Sequence, residues 1–173
     1  MQILKDLIPV STNLKIINLL LESKNWYIAI DRKSNKFEDF FSREKKNLGF
    51  TMMTYCKTKE IKTCNLELNL YADLILDNIC EKLKIKNFNL ERIMWNLYFS
   101  SDEGDYHVDN YENNFLSVLY SLHTTDGGII IDNNFINDKQ GEAKVFKSSI
   151  LHKGVGPTKD KVRFNLNMVF STF

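Results

Sequence analysis

The spacing of apolar residues predicts helices in the first half of the chain and short strands in the second. A first helix follows the capping residues Ser11, Thr12 and Asn13, and its apolar positions are Leu14, Ile17, Leu20 and Leu21. A second helix is predicted from Leu66 to Leu83, with one apolar side made of Leu66, Leu70, Leu74, Ile75, Ile79 and Leu83. Trp26–Ile30 and Phe50–Cys56 are predicted strands between the helices.

From residue 88 onward, the pattern is one strand after another. The predicted strands are Leu90–Phe99, Phe115–Leu122, Gly128–Ile131, Glu142–Phe146 and Val162–Phe170. Six of the seven glycines follow residue 100, as expected of many tight turns. No linker or repeat separates the halves, so we expect a single domain over residues 1–173. Two helices followed by a meander predict an α+β protein whose sheet curls into a sandwich or barrel.

Composition narrows the class of protein. The 173 residues are 43% hydrophobic and 26% charged, which is enough apolar content for one core and excludes a disordered chain. A net charge of +1 makes nucleic acid an unlikely partner. No apolar run approaches the ~20 residues of a membrane span, and no signal peptide is expected. Cys56, Cys64 and Cys80 lack CxxC spacing, which favours free thiols and a cytoplasmic protein.

Charge is unevenly distributed along the strand-rich half. Residues 93–138 contain eight acids and no Lys or Arg, whereas residues 139–163 contain seven bases and two acids. Ordinary solvated loops would explain this distribution. The functional alternative is an acidic mouth suited to a cation, beside a basic strip suited to an anion.

Three histidines make a metal site the first chemical hypothesis. His107 and Asp109 are two residues apart, so in an extended segment both side chains point to the same side. A further imidazole brought alongside by sheet pairing would complete a face of two nitrogens and one oxygen, which leaves three positions of an octahedral ion open. His123 is interpreted as a solvent-facing loop residue.

The last predicted strand alternates strictly between apolar and polar residues. Arg163, Asn165 and Asn167 share one face and would point inward if the strand closes a barrel. A buried arginine needs an anionic partner because an unpaired charge away from water is costly. A dicarboxylate co-substrate would provide that partner through a bidentate contact.

Taken together, these motifs resemble the Fe(II)/2-oxoglutarate-dependent dioxygenases, and most closely the prolyl-4-hydroxylase-like branch. The matching runs are Tyr106-His107-Val108-Asp109-Asn110, Asp126-Gly127-Gly128-Ile129 and Gly141-Glu142-Ala143-Lys144-Val145-Phe146, followed by His152 and Arg163. The resemblance implies a double-stranded β-helix (jelly-roll, cupin-like) core over residues 90–171. Residues 1–89 would then support it, with two helices packed on one sheet.

The resemblance also implies roles for single residues. His107, Asp109 and His152 would bind Fe(II), and Arg163 would pair with the far carboxylate of 2-oxoglutarate. Tyr98 would line the co-substrate pocket, with Met94 and Asn96 on its side of the strand, and Asn167 stands where a hydroxyl-bearing pocket residue is often found. Where the family often has a tyrosine bonding the far carboxylate, this chain aligns Ser121. Either Tyr98 or Ser121 makes that contact, or the register is off by one and Tyr120 does.

The expected activity is hydroxylation of an unactivated C–H bond in an amino-acid residue or small metabolite, using O2 and releasing succinate and CO2. Demethylation and desaturation use the same residues. From another class, a jelly-roll module that binds metal, or a ligand, without oxygenase chemistry is the alternative. Phe37–Gly49 and Tyr106–Asn114 are candidate substrate-covering loops. A peptide, a protein residue or a small molecule is the expected partner, and the sequence does not predict an oligomeric state.

Overall fold

Two antiparallel sheets and two helices make up the described part of the chain. The computed structural model describes residues 1–28, 49–58, 61–62 and 65–173. The helices are α1 (Val10–Glu22) and α2 (Leu66–Leu83). The strands are β1 (Gln2–Leu4), β2 (Tyr27–Ile28), β3 (Phe50–Cys56), β4 (Ile61–Lys62), β5 (Phe88–Phe99), β6 (Phe115–Ser121), β7 (Thr125–Ile131), β8 (Asn134–Asp138), β9 (Ala143–Lys147), β10 (His152–Val155) and β11 (Val162–Thr172).

The larger sheet has the strand order β1-β9-β6-β11-β5-β3-β2, with β4 paired to β3, and the smaller has the order β10-β7-β8. All of these pairs are antiparallel. Between the sheets, Leu119 and Phe146 of the larger pack with Ile129 and Ile131 of the smaller. The architecture is therefore jelly-roll-like, and the prediction of an α+β protein with a curled sheet is confirmed.

The main core lies on the opposite face of the larger sheet, against both helices. Alternation along β11 sends Phe164, Leu166 and Met168 into this core. Ile16 of α1 and Ile75 of α2 belong to the same cluster, and neither has any exposed surface. The polar residues that alternate with Phe164, Leu166 and Met168 on β11 consequently face the space between the two sheets, where the candidate site lies.

The predicted helices exist, but their predicted buried faces are partly wrong. Leu66, Leu70 and Leu74 are 67%, 61% and 46% exposed, and Leu14 and Leu21 of α1 are also exposed. The residues of α2 that are buried instead are Leu68, Asn69, Ala72, Ile75, Leu76, Ile79 and Cys80. Both helices carry leucine or isoleucine on most sides, so spacing alone could not distinguish the face that packs from the face that does not.

The predicted cap of α1 is also wrong. The helix begins at Val10 with Pro9 in the cap position, and no side chain caps it within the described residues. Asn13 is buried and accepts a hydrogen bond from the Tyr120 hydroxyl at 2.8 Å. Asn13 therefore does not cap the helix, and its side chain instead links α1 to Tyr120 of β6.

The five strands predicted after residue 88 have ends within three residues of those observed. The short strands β1, β4, β8 and β10 were not predicted. Of Trp26–Ile30 the structure describes a strand at Tyr27–Ile28, and residues 29–30 lie outside the described residues, as do 37–48 of the candidate loop Phe37–Gly49. Cys56 and Cys80 are free and buried, whereas Cys64 is not among the described residues. None of the helices in the described ranges has the length and apolar content needed to cross a membrane.

His123 is not the solvent-facing residue that its turn position suggested. Its Nε2 accepts a hydrogen bond from the backbone N–H of Phe164 at 3.0 Å, and its ring packs against the Phe164 ring. Burial lowers the pKa of His123. The neutral imidazole of His123 therefore helps to attach β11 to the turn that follows β6.

This attachment predicts a pH dependence of stability. Below the ordinary histidine pKa of about 6.5, His123 is protonated in the unfolded chain but stays neutral in the folded protein. The free energy of unfolding should therefore fall as the pH falls. His123→Asn keeps a hydrogen-bond acceptor but cannot titrate. Between about pH 7.5 and about pH 5.5, the Tm of this variant should therefore fall less steeply than that of the unmodified protein. Parallel Tm profiles would contradict this assignment.

Candidate metal centre and anion pocket

His107, Asp109 and His152 converge where the smaller sheet continues beyond β10. An isolated bridge joins His107 to His152 through reciprocal backbone hydrogen bonds of 2.9 and 3.0 Å. Their Nε2 atoms lie 3.9 and 3.5 Å from the two oxygens of Asp109, and all three candidate ligand atoms lie within 4.8 Å of one another. Two imidazole nitrogens and one carboxylate at this separation can bind a single divalent ion.

The backbone determines which nitrogen each imidazole offers. Nδ1 of His107 lies 2.8 Å from the carbonyl oxygen of Asp105, and Nδ1 of His152 lies 2.8 Å from that of Ile150. A carbonyl only accepts, so Nδ1 carries the proton in both rings and Nε2 keeps its lone pair. Burial also lowers the pKa of His152, which favours the neutral form that a metal needs.

The Asp109 carboxylate is oriented by residues that sequence analysis missed. Arg92 Nη2 donates to Oδ1, and Ser117 Oγ donates to Oδ2 at 2.6 Å. Burial by itself would raise the pKa of Asp109, but the charge of Arg92 and the hydrogen bond from Ser117 bring it below its usual value. Arg92 continues the two-residue alternation of Met94, Asn96 and Tyr98 on β5, and that periodicity was the available signal.

A second group of charges lies between the same two sheets. Arg163 is directly opposite Tyr98 on β5, so the two side chains share a face. Arg163 Nε donates to Asp138 Oδ2 at 2.7 Å, and Lys144 Nζ donates to Asp138 Oδ1 at 2.8 Å. None of these three side chains has exposed surface. Two buried cations therefore share one buried carboxylate.

This cluster has one positive charge more than it has negative charges. Burial would raise the pKa of Asp138, but Arg163 and Lys144 lower it below its usual value, so the carboxylate is ionised. Nη1 and Nη2 of Arg163 are buried and have no hydrogen-bond partner among the described residues. An uncompensated buried charge is costly, and one singly charged anion would balance the charge of this cluster. We refer to Asp138, Lys144 and Arg163 as the anion pocket.

Tyr98 forms one wall of this pocket. The Arg163 guanidinium lies 4.9 Å from the centre of the Tyr98 ring. A Cβ at position 154 would lie 2.5 Å from the Tyr98 hydroxyl, so only glycine fits beside it. Burial raises the pKa of Tyr98, which keeps the hydroxyl protonated and able to donate.

The remaining predicted residues divide between the two sites. Ser121 Oγ accepts from Lys144 Nζ at 3.1 Å and so borders the anion pocket, whereas Tyr120 faces the helices. Asn96 donates to Asn165 Oδ1 at 2.9 Å on the inner face. Asn167 Oδ1 accepts from Arg92 Nη2 at 2.8 Å, which places Asn167 beside the metal candidates.

Lys144 and Asp138 were missed by sequence analysis. Lys144 lies between Ala143 and Val145, which face the core, so strand alternation could have found it. Asp138 had no local signal because its partners come from β9 and β11.

Five of the eight acids in residues 93–138 have local partners. Asp102 accepts from the Phe99 backbone N–H at 2.7 Å, and Glu103 pairs with Lys153. Asp126 accepts from the Thr158 and Lys159 backbones. Asp109 and Asp138 are paired inside the two sites described above. These contacts favour local pairing of these acids over the functional alternative of an acidic mouth.

The paired sheets and the His-Asp-His group together define a class: the chain has the fold of the Fe(II)/2-oxoglutarate oxygenases. It is similar to the viral collagen prolyl hydroxylase of Paramecium bursaria Chlorella virus-1, with a TM-score of 0.62 and 14% identity over 99% of this chain and 96% of that one. An oxidoreductase of the 2OG-Fe(II) oxygenase family from Burkholderia pseudomallei superposes with a TM-score of 0.69 and 14% identity, covering 98% of this chain and 84% of that one. The predicted resemblance to these oxygenases is confirmed for the fold.

The same fold occurs in enzymes with other outcomes. SnoN, a non-haem α-ketoglutarate-dependent epimerase of nogalamycin biosynthesis, superposes with a TM-score of 0.68 and 9% identity, covering 98% of this chain and 77% of that one. No protein-family model matches the sequence, and no curated protein sequence matches it. Fold similarity at these identities does not determine the substrate.

Proposed function

We propose that this protein is an Fe(II)- and 2-oxoglutarate-dependent oxygenase, a single domain over residues 1–173 with a double-stranded β-helix core at 90–171. The observation that carries the proposal is the pair of sites on one inner face. A two-histidine, one-carboxylate group lies beside Asn167 of β11, and an anion pocket with two unpaired guanidinium nitrogens lies at Arg163 of the same strand. A dicarboxylate that chelates a metal at one end needs the metal group for that end and a cation, such as Arg163, for the carboxylate at the other end.

In this proposal, His107, Asp109 and His152 hold Fe(II) and leave open positions for the co-substrate and O2. Bound there, the iron and 2-oxoglutarate supply the oxidising chemistry, with succinate and CO2 as products. Arg92 and Ser117 keep the Asp109 carboxylate in place, and the backbone carbonyls of Asp105 and Ile150 keep both imidazoles in the ligating tautomer.

The far carboxylate of 2-oxoglutarate would bind in the anion pocket. Nη1 and Nη2 of Arg163 present the planar edge that a carboxylate accepts bidentately, and Lys144 supplies a second positive charge. Tyr98 and Ser121 border this position, with Asn96 deeper on the same face. Their polar atoms orient the co-substrate and limit water in the pocket.

The reaction we propose is hydroxylation of an unactivated C–H bond in an amino-acid residue or a small metabolite. The similarity to the viral prolyl hydroxylase and to a Pseudomonas putida prolyl-4-hydroxylase, with a TM-score of 0.61, supports this choice. The carboxylate of Asp109 also favours hydroxylation over halogenation, because related halogenases have a small residue at this position. Buried free Cys56 and Cys80 support a cytoplasmic location.

Anaerobic titration with 2-oxoglutarate tests the proposal directly. The Fe(II)-loaded protein should develop the weak visible charge-transfer band of the chelate, and Arg163→Met should raise the Kd for 2-oxoglutarate by about ten- to a hundredfold through loss of a charge-assisted contact. Lys161→Met, which removes a positive charge from the exposed residue two positions earlier, is the matched control and should leave the Kd unchanged.

Two results would count against the proposal. A folded protein that binds iron and shows no band would instead support a metal-binding jelly-roll module without oxygenase chemistry. A normal Kd in Arg163→Met would show that another cation binds the co-substrate.

A further inference from the structure

The Arg92 guanidinium borders the metal candidates and is partly exposed. Its Nη2 donates to both Asp109 Oδ1 and Asn167 Oδ1. The Arg92 side chain is 23% exposed, whereas that of Asp109 is 1% exposed. Arg92 is therefore the member of this ion pair that a bound molecule can contact.

The guanidinium has more donors than this protein uses. Of its five N–H groups, the two on Nη2 bind Asp109 and Asn167, which leaves one on Nε and two on Nη1. Nε is buried and has no hydrogen-bond partner among the described residues. A buried donor without an acceptor is costly, so this N–H favours a bound acceptor.

The charges near Arg92 indicate the kind of acceptor. Arg92 and Asp109 neutralise each other, so a divalent ion at the site brings two positive charges, of which a chelating carboxylate balances one. One positive charge remains, which a carboxylate matches and a phosphate monoester, at about −1.5 to −2, exceeds. Glu103, on the loop that follows β5, is already paired with Lys153.

We propose that Arg92 binds a carboxylate of the primary substrate and so selects small molecules with a free carboxyl group, such as a free amino acid. This inference rests on the proposed function, because the substrate carbon must lie near the metal.

The test uses matched pairs of ligands that differ in charge. Ni(II)-loaded protein with 2-oxoglutarate is titrated with each of the twenty free L-amino acids and with the corresponding carboxamides, and binding is measured by calorimetry. At least one acid should bind, with its amide at least about tenfold weaker, as expected when a charge-assisted hydrogen bond is lost. If no acid binds, or if acids and amides bind equally, the proposal is wrong.

Variants of Arg92 test whether this residue causes the preference for acids over amides. Arg92→Gln should weaken the preferred acid by at least about tenfold and leave its amide unchanged, and Arg92→Lys, which keeps the charge but not the planar fork, should be intermediate. Lys161→Gln makes the same change in net charge at an exposed site and should retain the preference. If Arg92→Gln does not fold, the acid–amide comparison in Arg92→Lys and in the wild type still tests whether Arg92 binds the carboxylate. A preference for acids that survives in both Arg92 variants would overturn the assignment.

Failure of this inference is distinguishable from failure of the proposed function. Binding of 2-oxoglutarate to the same Ni(II)-loaded sample is measured first. If the co-substrate does not bind, the proposed function is wrong. If it binds and the acids show no preference, only the role of Arg92 is wrong.

Discussion

His107→Ala should abolish binding of a divalent metal and all turnover while leaving the stability of the protein nearly unchanged. The His107 side chain is 52% exposed, so its removal creates no buried cavity, and its structural bridge to His152 is made by backbone atoms that alanine retains. With one of three ligands gone, the remaining two cannot form the facial site. Calorimetry with Co(II) and a thermal unfolding scan measure both effects.

The choice of His107 over Asp109 matters for interpretation. Asp109→Ala would also remove the partner of Arg92 and leave a partly buried guanidinium unpaired, so a loss of function could reflect a loss of folding. His123→Asn is the matched control, because it removes a histidine that lies in neither site and should keep the metal affinity. Retained Co(II) binding in His107→Ala would show that the metal candidates are misassigned.

Asp138→Asn should lower the free energy of unfolding by about 3–5 kcal/mol, the usual cost of breaking a buried ion pair by removing one partner. Within the part of the chain that the structure describes, Asp138 is the only anion paired with Lys144 and Arg163, and none of the three side chains has exposed surface. With the carboxylate replaced, two positive charges would remain buried together. Urea unfolding followed by circular dichroism measures the loss.

The same variant tests the anion pocket as a binding site. A pocket with two unbalanced positive charges should attract a carboxylate more strongly, so 2-oxoglutarate should raise the Tm of Asp138→Asn by more than it raises that of the wild type. Asp132→Asn, at an exposed position of the β7–β8 turn with a positive φ that asparagine tolerates, is the control for the change in charge. Equal stability of Asp138→Asn and the wild type would contradict the buried-charge argument.

Local spacing was sufficient to bring the metal candidates to attention. His107 and Asp109 are two residues apart in extended backbone, so they share a side whatever the rest of the chain does. Arg163, Asn165 and Asn167 likewise share one face of β11, and their burial follows once the apolar face of that strand meets the core. These inferences depend on a period of two, which a strand imposes on every sequence.

Longer-range features could not be predicted in this way. The exposed leucines of α2 were assigned to the core because leucines and isoleucines occupy several faces of this helix. Only the position of the sheet determines which of these faces is buried. The tyrosine-or-serine ambiguity on β6 depended on register. Ser121 pairs with Asn165, one residue from the core-facing Leu166–Tyr120 pair, so Ser121 faces the space between the sheets and Tyr120 faces the helices.

The sequence by itself determined which candidate groups share a face: His107 with Asp109, and Arg163 with Asn165 and Asn167, each at the two-residue spacing of a strand. Only the tertiary structure decided how these groups are held and balanced. Arg92 reaches Asp109 from β5, and Asp138 joins Lys144 of β9 to Arg163 of β11. Charge balance in a buried site depends on distances between strands far apart in the chain, and antiparallel registers set those distances after folding.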